Sequence, residues 1–317
     1  MKNYILIICF LILGPVAVAQ QKALYSQYMT NYYLLNPAVS GFEKDWNFKA
    51  GFRNQWVGFE GAPKTFYLSG ETALFKQQLR RRRAQPYHGA GGYAYTDNTG
   101  PTTRTGMLLS YAYHVPLNRK VYLSSGLFAG FQQFRFDPNK IQLADGSNER
   151  DPVTNAGRID AFMPDLSVGT LLHSEEFFVG ASLFQALGNK INEVEGSEEP
   201  SRLSRHWYLS AGYRFDVNRK LTVEPSFLLK YVNPAPVQVD INVKGIYSLD
   251  KSRRKDKYDD QVWAGLSYRT QDALVGMAGI QMLEQYQLSY SYDITVSRMR
   301  HHSAGSHEIT FGYRLKQ

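Results

Sequence analysis

From about residue 45 to the end of the chain, apolar and polar residues take turns with a period of two. Trp207, Leu209, Ala211, Tyr213 and Phe215 fall on one side of their segment, and Tyr208, Ser210, Gly212, Arg214 and Asp216 on the other. Leu221, Val223, Phe227, Leu229 and Tyr231 alternate in the same way with Thr222, Glu224, Ser226 and Lys230. Val237, Val239, Ile241, Val243 and Tyr247 oppose Gln238, Asp240, Asn242 and Lys244; Tyr286, Leu288, Tyr290 and Tyr292 oppose Gln287, Ser289, Ser291 and Asp293. A β-strand sends successive side chains to opposite faces, so each run has one apolar and one wet face. The pattern predicts strands near 45–57, 63–75, 86–97, 102–115, 119–136, 160–173, 176–187, 204–216, 219–232, 235–249, 259–269, 272–282, 284–294 and 307–316. An even set of such strands, each about ten residues long, predicts an all-β fold: a transmembrane antiparallel up-and-down β-barrel of about 14 strands.

A barrel also reconciles two features of the composition. Aromatic residues make up 14% of the chain, with 22 Tyr and 18 Phe. The mean hydropathy is nevertheless that of a polar protein. Only alternate residues of a membrane barrel meet lipid, and tyrosine and tryptophan collect at the two interfaces. No apolar run after residue 20 is long enough for a membrane helix. Lys2, the apolar stretch Ile5 to Leu13 and the small residues Ala17-Val18-Ala19 form a secretory leader, so residues 1–19 are expected to be removed and the mature chain to begin at Gln20. The single cysteine, Cys9, lies in that leader, which excludes disulfides and cysteine-held metal from the mature chain. The net charge of +8 suits anionic lipid headgroups of the outer membrane or acidic surface polymers better than nucleic acid, which an exported chain rarely meets.

Residues 20–44 do not alternate. Tyr25, Tyr28, Met29, Tyr32, Tyr33 and Leu34 recur at roughly helical spacing until Asn36-Pro37. This stretch is read as a short periplasmic or plug-like segment in or under the barrel formed by 45–317. Inward positions carry both signs of charge: Lys49, Arg53, Arg214, Lys230, Lys244 and Arg314 beside Glu71, Asp216, Glu224, Asp240 and Asp293. Ion pairs holding a plug and the field of an open eyelet both fit that mixture. Short connections are expected on the periplasmic side and long ones outside. That parity places two longer, basic connections in the periplasm, with Arg80, Arg81, Arg82 and Arg83 in one and Arg253, Arg254 and Lys255 in the other. They read as solvated turns or as docking points for a periplasmic partner.

No catalytic centre, cofactor site or metal site is expected. Ser306, His307 and Glu308 have the residue types of a hydrolase, but neighbours on a strand face opposite sides and cannot form a triad. His301, His302 and His307 lack regular ligand spacing. Asp240 and Glu224 lie among lumen charges and read as structural partners. Gly89-Ala90-Gly91-Gly92 falls within a strand, where glycine eases packing or curvature, and is not read as a phosphate loop.

Several short motifs point further. Tyr25-Ser26-Gln27-Tyr28-Met29 is followed by Leu34-Leu35-Asn36-Pro37-Ala38 and Gly41; then come Arg53-Asn54-Gln55-Trp56, Gly61-Ala62-Pro63, Thr65 and Leu68-Ser69. With the closing segment Ser306-His307-Glu308-Ile309 through Tyr313, this layout resembles the PorP/SprF family of type IX secretion outer-membrane proteins. The end, Tyr313-Arg314-Leu315-Lys316-Gln317, departs from the aromatic last residue common in such chains. The resemblance implies a non-enzymatic role beside the secretion machinery. It also implies secreted cargo such as adhesins, engaged through C-terminal domains, and periplasmic components tied to peptidoglycan. Arg53, Gln55, Trp56, Gly61 and Pro63 then pin the plug and first hairpin or touch cargo, with Gly61-Ala62-Pro63 expected as a tight external turn. The long connections 137–159 and 188–203 are expected cargo surfaces. A transporter or porin for small molecules is the alternative.

Overall fold

The computed structural model describes residues 25–74, 84–141, 158–190, 202–249 and 260–316. Its strands are β1 (Trp46–Asn54), β2 (Lys64–Leu74), β3 (Tyr87–Thr99), β4 (Thr102–Pro116), β5 (Tyr122–Phe136), β6 (Ile159–His173) and β7 (Phe177–Phe184). The chain continues through β8 (His206–Tyr213, resumed after Arg214 as Phe215–Asp216), β9 (Leu221–Val232) and β10 (Gln238–Ser248). It ends with β11 (Gln261–Arg269), β12 (Ala273–Met282), β13 (Tyr286–Thr295) and β14 (Ser306–Leu315). Each strand pairs antiparallel with its neighbours in sequence, and β14 closes on β1 from Trp46↔Leu315 to Asn54↔His307. The result is the expected closed barrel of 14 strands.

Closure gives every wall strand a partner on both sides, which is what a lipid environment demands. The dyad pattern decides which face meets lipid. Phe66, Leu68, Met107, Leu109, Phe131, Leu266 and Phe311 point outward and are exposed on the isolated chain. No helix of the described residues is long and apolar enough to cross a membrane. We call the end where the chain enters β1 and leaves β14 the near rim, and the opposite end the far rim.

The segment before β1 lies inside the barrel. It is three short 3₁₀ turns, at Tyr28–Thr30, Tyr32–Leu34 and Pro37–Val39, and the helical spacing of its aromatics does not produce an α-helix. Asn31 interrupts the first two turns with an extended φ of −148°, and Asn36 does the same before Pro37 with a φ of −153°. Such breaks let aromatic side chains leave the chain in several directions and pack on the wall all round, which one helix face does not allow. Tyr25, Tyr28, Met29, Tyr33 and Leu34 form one buried cluster with Tyr67, Tyr93, Phe128, Phe184, Tyr208 and Leu228 from the strands. Strand residues alone do not fill a lumen of this girth.

The wall makes room for the segment with glycines. A Cβ on Gly89 would lie 1.8 Å from the Ser40 carbonyl oxygen, and one on Gly91 would lie 2.9 Å from the Tyr33 hydroxyl. Gly126 of β5, Gly169 of β6 and Gly180 of β7 likewise clear the space taken by Asn36, Pro37 and Ala38.

Candidate functional site

The inward-facing segment is fastened at two places. Near the far rim, Arg53 of β1 is almost fully buried. Its guanidinium bridges Asp293 of β13 at 2.8 Å and Glu308 of β14 at 3.3 Å. Arg269, at the end of β11, reaches Asp293 at 3.4 Å, Asp272 at 2.9 Å and Asp240 at 3.5 Å. Lys230 of β9 completes the group with a bond to Asp240 at 2.7 Å. Buried charges of one sign are held in place by those of the other through charge-assisted hydrogen bonds.

This cluster reads the plug. The Ser26 hydroxyl donates to Asp293 at 2.7 Å and accepts from both Arg53 and Arg269. Glu308 accepts the Ser26 backbone N–H at 2.6 Å. The Gln27 amide nitrogen donates to the Glu308 carbonyl at 2.7 Å, while its oxygen accepts from Ser289 at 2.5 Å. Tyr28 accepts from Asn242 at 2.7 Å and lies under the Lys230 ammonium. Burial pushes the hydroxyls of Tyr28 and Tyr33 well above the ordinary tyrosine range, so both stay neutral.

The second fastening lies toward the near rim and uses uncharged groups almost throughout. Asn36 caps its own turn by accepting from Ala38 N–H at 2.9 Å. Its side-chain nitrogen donates to the Thr170 carbonyl of β6 at 2.9 Å. Ser182 of β7 donates to the Leu35 carbonyl at 2.5 Å. Ser110 of β4 meets Tyr33 at 2.7 Å and Ser40 at 2.8 Å. His114 bonds the Ser40 carbonyl through Nε2 at 2.8 Å and Ser124 through Nδ1 at 2.6 Å, and Ser124 meets His173 at 3.0 Å. With Nε2 donating to the carbonyl, a neutral His114 has Nδ1 left to accept the Ser124 proton, which fixes the tautomer. Glu71 of β2 adds a charged contact, accepting Gly41 N–H at 2.6 Å.

The remaining motif residues line the far rim. Gln55 N–H bonds the Pro63 carbonyl at 2.9 Å, and Trp56 N–H bonds the Ser306 hydroxyl at 3.1 Å. Thr65 donates to Asp97 at 2.5 Å. The connection 55–63 is not the tight turn expected of Gly61-Ala62-Pro63. It is a longer loop with positive φ at Trp56, Gly58 and Gly61, tied to the start of β14 through Val57 and Gly305.

Ser306 and Glu308 point inward, while His307 points outward and meets the Tyr290 hydroxyl at 2.6 Å. The alternation that separated them in the sequence therefore separates them in space. Asp240 and Glu224 do not face each other as an acid pair: Asp240 bonds Lys230, and Glu224 bonds Lys244 at 2.7 Å and Arg214 at 3.4 Å. Arg80 to Arg83, Arg253, Arg254, Lys255 and most of both long connections lie outside the described residues.

Arg269, His114, Ser124 and His173 were not singled out in the sequence. Arg269 was legible in principle, since it shares the inward parity of Gly265 and Ser267. Nothing local marks His114 and His173, which meet through Ser124 only when β4, β5 and β6 pair.

A transmembrane barrel whose lumen is occupied by its own N-terminal segment is the class of protein that this fold and this site define. The family described as type IX secretion system membrane protein PorP/SprF matches residues 17–313, and the chain belongs to it. Among solved structures, the Ralstonia pickettii toluene transporter TbuX is similar with a TM-score of 0.50 and 11% identity, covering 96% of this chain and 98% of its own. A deltaS2S3 mutant of the TodX monoaromatic hydrocarbon channel is similar with a TM-score of 0.52 and 9% identity, covering 90% and 94%. At such identities the likeness concerns the fold alone. No curated relative matches the sequence.

Proposed function

We propose that this chain is a non-enzymatic outer-membrane component of the type IX secretion system. In this reading it assists the secretion or surface attachment of cargo proteins, adhesins among them, through their C-terminal domains. Residues 1–19 direct export, the near rim faces the periplasm and the far rim faces outside. The basic connections holding Arg80 to Arg83 and Arg253 to Lys255 then meet periplasmic components of the machinery, a peptidoglycan-associated protein among them.

Family membership and the doubly fastened plug together carry this reading. The segment from Tyr25 to Phe42 packs against the wall all round, which favours work at the rims over passage through the lumen. Binding by loops on a rigid scaffold is the usual arrangement. A transporter or porin for small molecules needs a path that this segment occupies.

Deletion of the gene tests the proposal. Surface display of one or more large exported proteins, followed by protease shaving and mass spectrometry, is expected to fall and to return with the full chain. Normal display of every such protein in the deletion strain would refute it.

A further inference from the structure

The lipid-facing side of β14, β1 and β2 changes character toward the far rim. On β14 the outward residues run Phe311, Ile309 and then His307. On β1 they run Ala50, Phe52 and then Asn54, and on β2 Leu68, Phe66 and then Lys64. Register makes the three polar ends neighbours, through His307↔Asn54 and Asn54↔Lys64. Tyr292 of β13 joins them through Tyr292↔His307. The apolar band of a membrane barrel ends where its outward residues turn polar, so the headgroup level begins here on this flank. His307 is held in place for it. One ring nitrogen meets the Tyr290 hydroxyl at 2.6 Å, and the ring packs 5.0 Å from that of Tyr292. Its Nε2 has no partner among the described residues.

A basic loop crowns the same flank. Residues 296–305, between β13 and β14, hold Arg298, Arg300, His301 and His302, all exposed, and no acid. Arg298–His301 form a 3₁₀ turn. Hydrogen bonds fasten the loop on both sides. Val296 and Ser297 donate to the Asp272 carbonyl at 2.8 and 3.2 Å, and Ala304 donates to the Val57 carbonyl at 2.8 Å. The outward Tyr292 hydroxyl donates to the Ala304 carbonyl at 2.9 Å, which seats the returning arm over the lipid-facing side. Arg300 Nε bonds His301 at 3.0 Å, and the terminal nitrogens of both guanidiniums have no partner among the described residues. The adjoining far-rim loops, 55–63 and 270–272, are described throughout. Their acids are Glu60, which pairs with neither arginine, and Asp272, which bonds Arg269 at 2.9 Å. An open guanidinium matches phosphate, whose oxygens accept its paired N–H groups.

We infer that this flank is a binding site for a phosphorylated glycolipid of the outer leaflet. Arg298 and Arg300 take its phosphate, Lys64 and His307 meet its polar head, and Ile309 and Phe52 lie against its acyl chains. The inference rests on the outward placement of the far rim in the reading above and does not need the cargo role. An acidic peptide would satisfy the arginines, but it has no use for the apolar stretches of β14 and β1 that continue below them. Basic side chains draw an anionic headgroup while apolar contact holds its chains, and a lipid supplies both at once.

The test uses the full chain, expressed in its own cells and purified in detergent. Fluorescent diphosphoryl lipid A doped into the micelles is the probe. Arg298→Glu/Arg300→Glu is expected to weaken its binding about tenfold or more. His307→Phe, which keeps a ring and loses the donor, should weaken it about threefold. Lys190→Glu/Arg202→Glu makes the same change of charge at the far rim between β7 and β8, and should stay within about twofold. Equal losses in the two double variants would show attraction to net charge alone and overturn the site. Displacement of the lipid by inorganic phosphate or by oligoglutamate, at matched ionic strength, would overturn it in favour of a free anion or a protein partner.

Heat-modifiable migration on gels reports folding. Should the double reversal not fold, Arg298→Gln/Arg300→Gln replaces it, with about a fivefold loss expected. Placement is checked apart from binding. The chain has no cysteine beyond Cys9, so His302→Cys, labelled in intact cells by an impermeant maleimide with lysed cells as the positive control, reports the side on which the loop lies. Labelling without lipid binding overturns the site and leaves the outward reading intact. Labelling only after lysis overturns the outward reading, and the site falls with it.

Discussion

The plug is gripped by charge toward the far rim and by neutral hydrogen bonds toward the near rim. Arg53, Arg269, Asp293 and Glu308 converge on Ser26. Asn36, Ser110, His114 and Ser182 divide the hold on residues 33–40. These chemistries fail differently. Removing one member of a buried ion cluster leaves its partner charged and desolvated, so the loss is steep. Removing one neutral hydrogen bond among several costs only its own share. The far-rim fastening therefore resembles a latch with few settings, and the near-rim fastening a hinge that loosens gradually. The described part of the plug begins at the latch, with Tyr25 and Ser26, and its other end runs into β1.

The contrast is open to attack in order of expected size. Deleting residues 25–42 removes both fastenings and should turn a barrel without steady current into one with a stable conductance in planar bilayers. A deleted form that stays silent would mean that the wall residues fill the lumen alone. Next, Arg53→Ala should destabilise the latch by about 3–5 kcal/mol, read as the urea midpoint of plug release in detergent. Adding Glu308→Gln to that variant should recover part of the loss, because it removes the stranded carboxylate. His114→Ala should cost less, about 1–3 kcal/mol, and speed amide exchange at Gly41 while leaving Ser26 and Gln27 protected. Equal loosening at both ends would erase the distinction between latch and hinge. Asn36→Ala should have the smallest effect, about 1 kcal/mol, seen as local exchange at Ala38 with no opening of the lumen.

Much of the wall was legible because its signal is local. The alternation in 286–293 assigned Tyr290 and Tyr292 to lipid and Ser291 and Asp293 to the lumen without knowledge of their neighbours, and the burial pattern agrees. Arg53 and Glu71 were assigned inward on the same ground and are buried. The plug was less legible. Tyr25 to Leu34 has helical spacing, yet the surrounding wall rewards three separate turns, since tyrosines must reach β2, β4, β9 and β10 at once. The length of the 55–63 loop was missed because its shape depends on Gly305 and Ser306, which are distant in sequence.

The sequence by itself determined the strands, their number and the face each turns to lipid, because a period of two is a property of the backbone that any stretch of chain displays. Only the tertiary structure decided which lumen charges meet and that Ser26 lies among four of them. Those outcomes depend on register between strands and on where a non-repeating segment comes to rest, and neither is encoded within reach of any one strand.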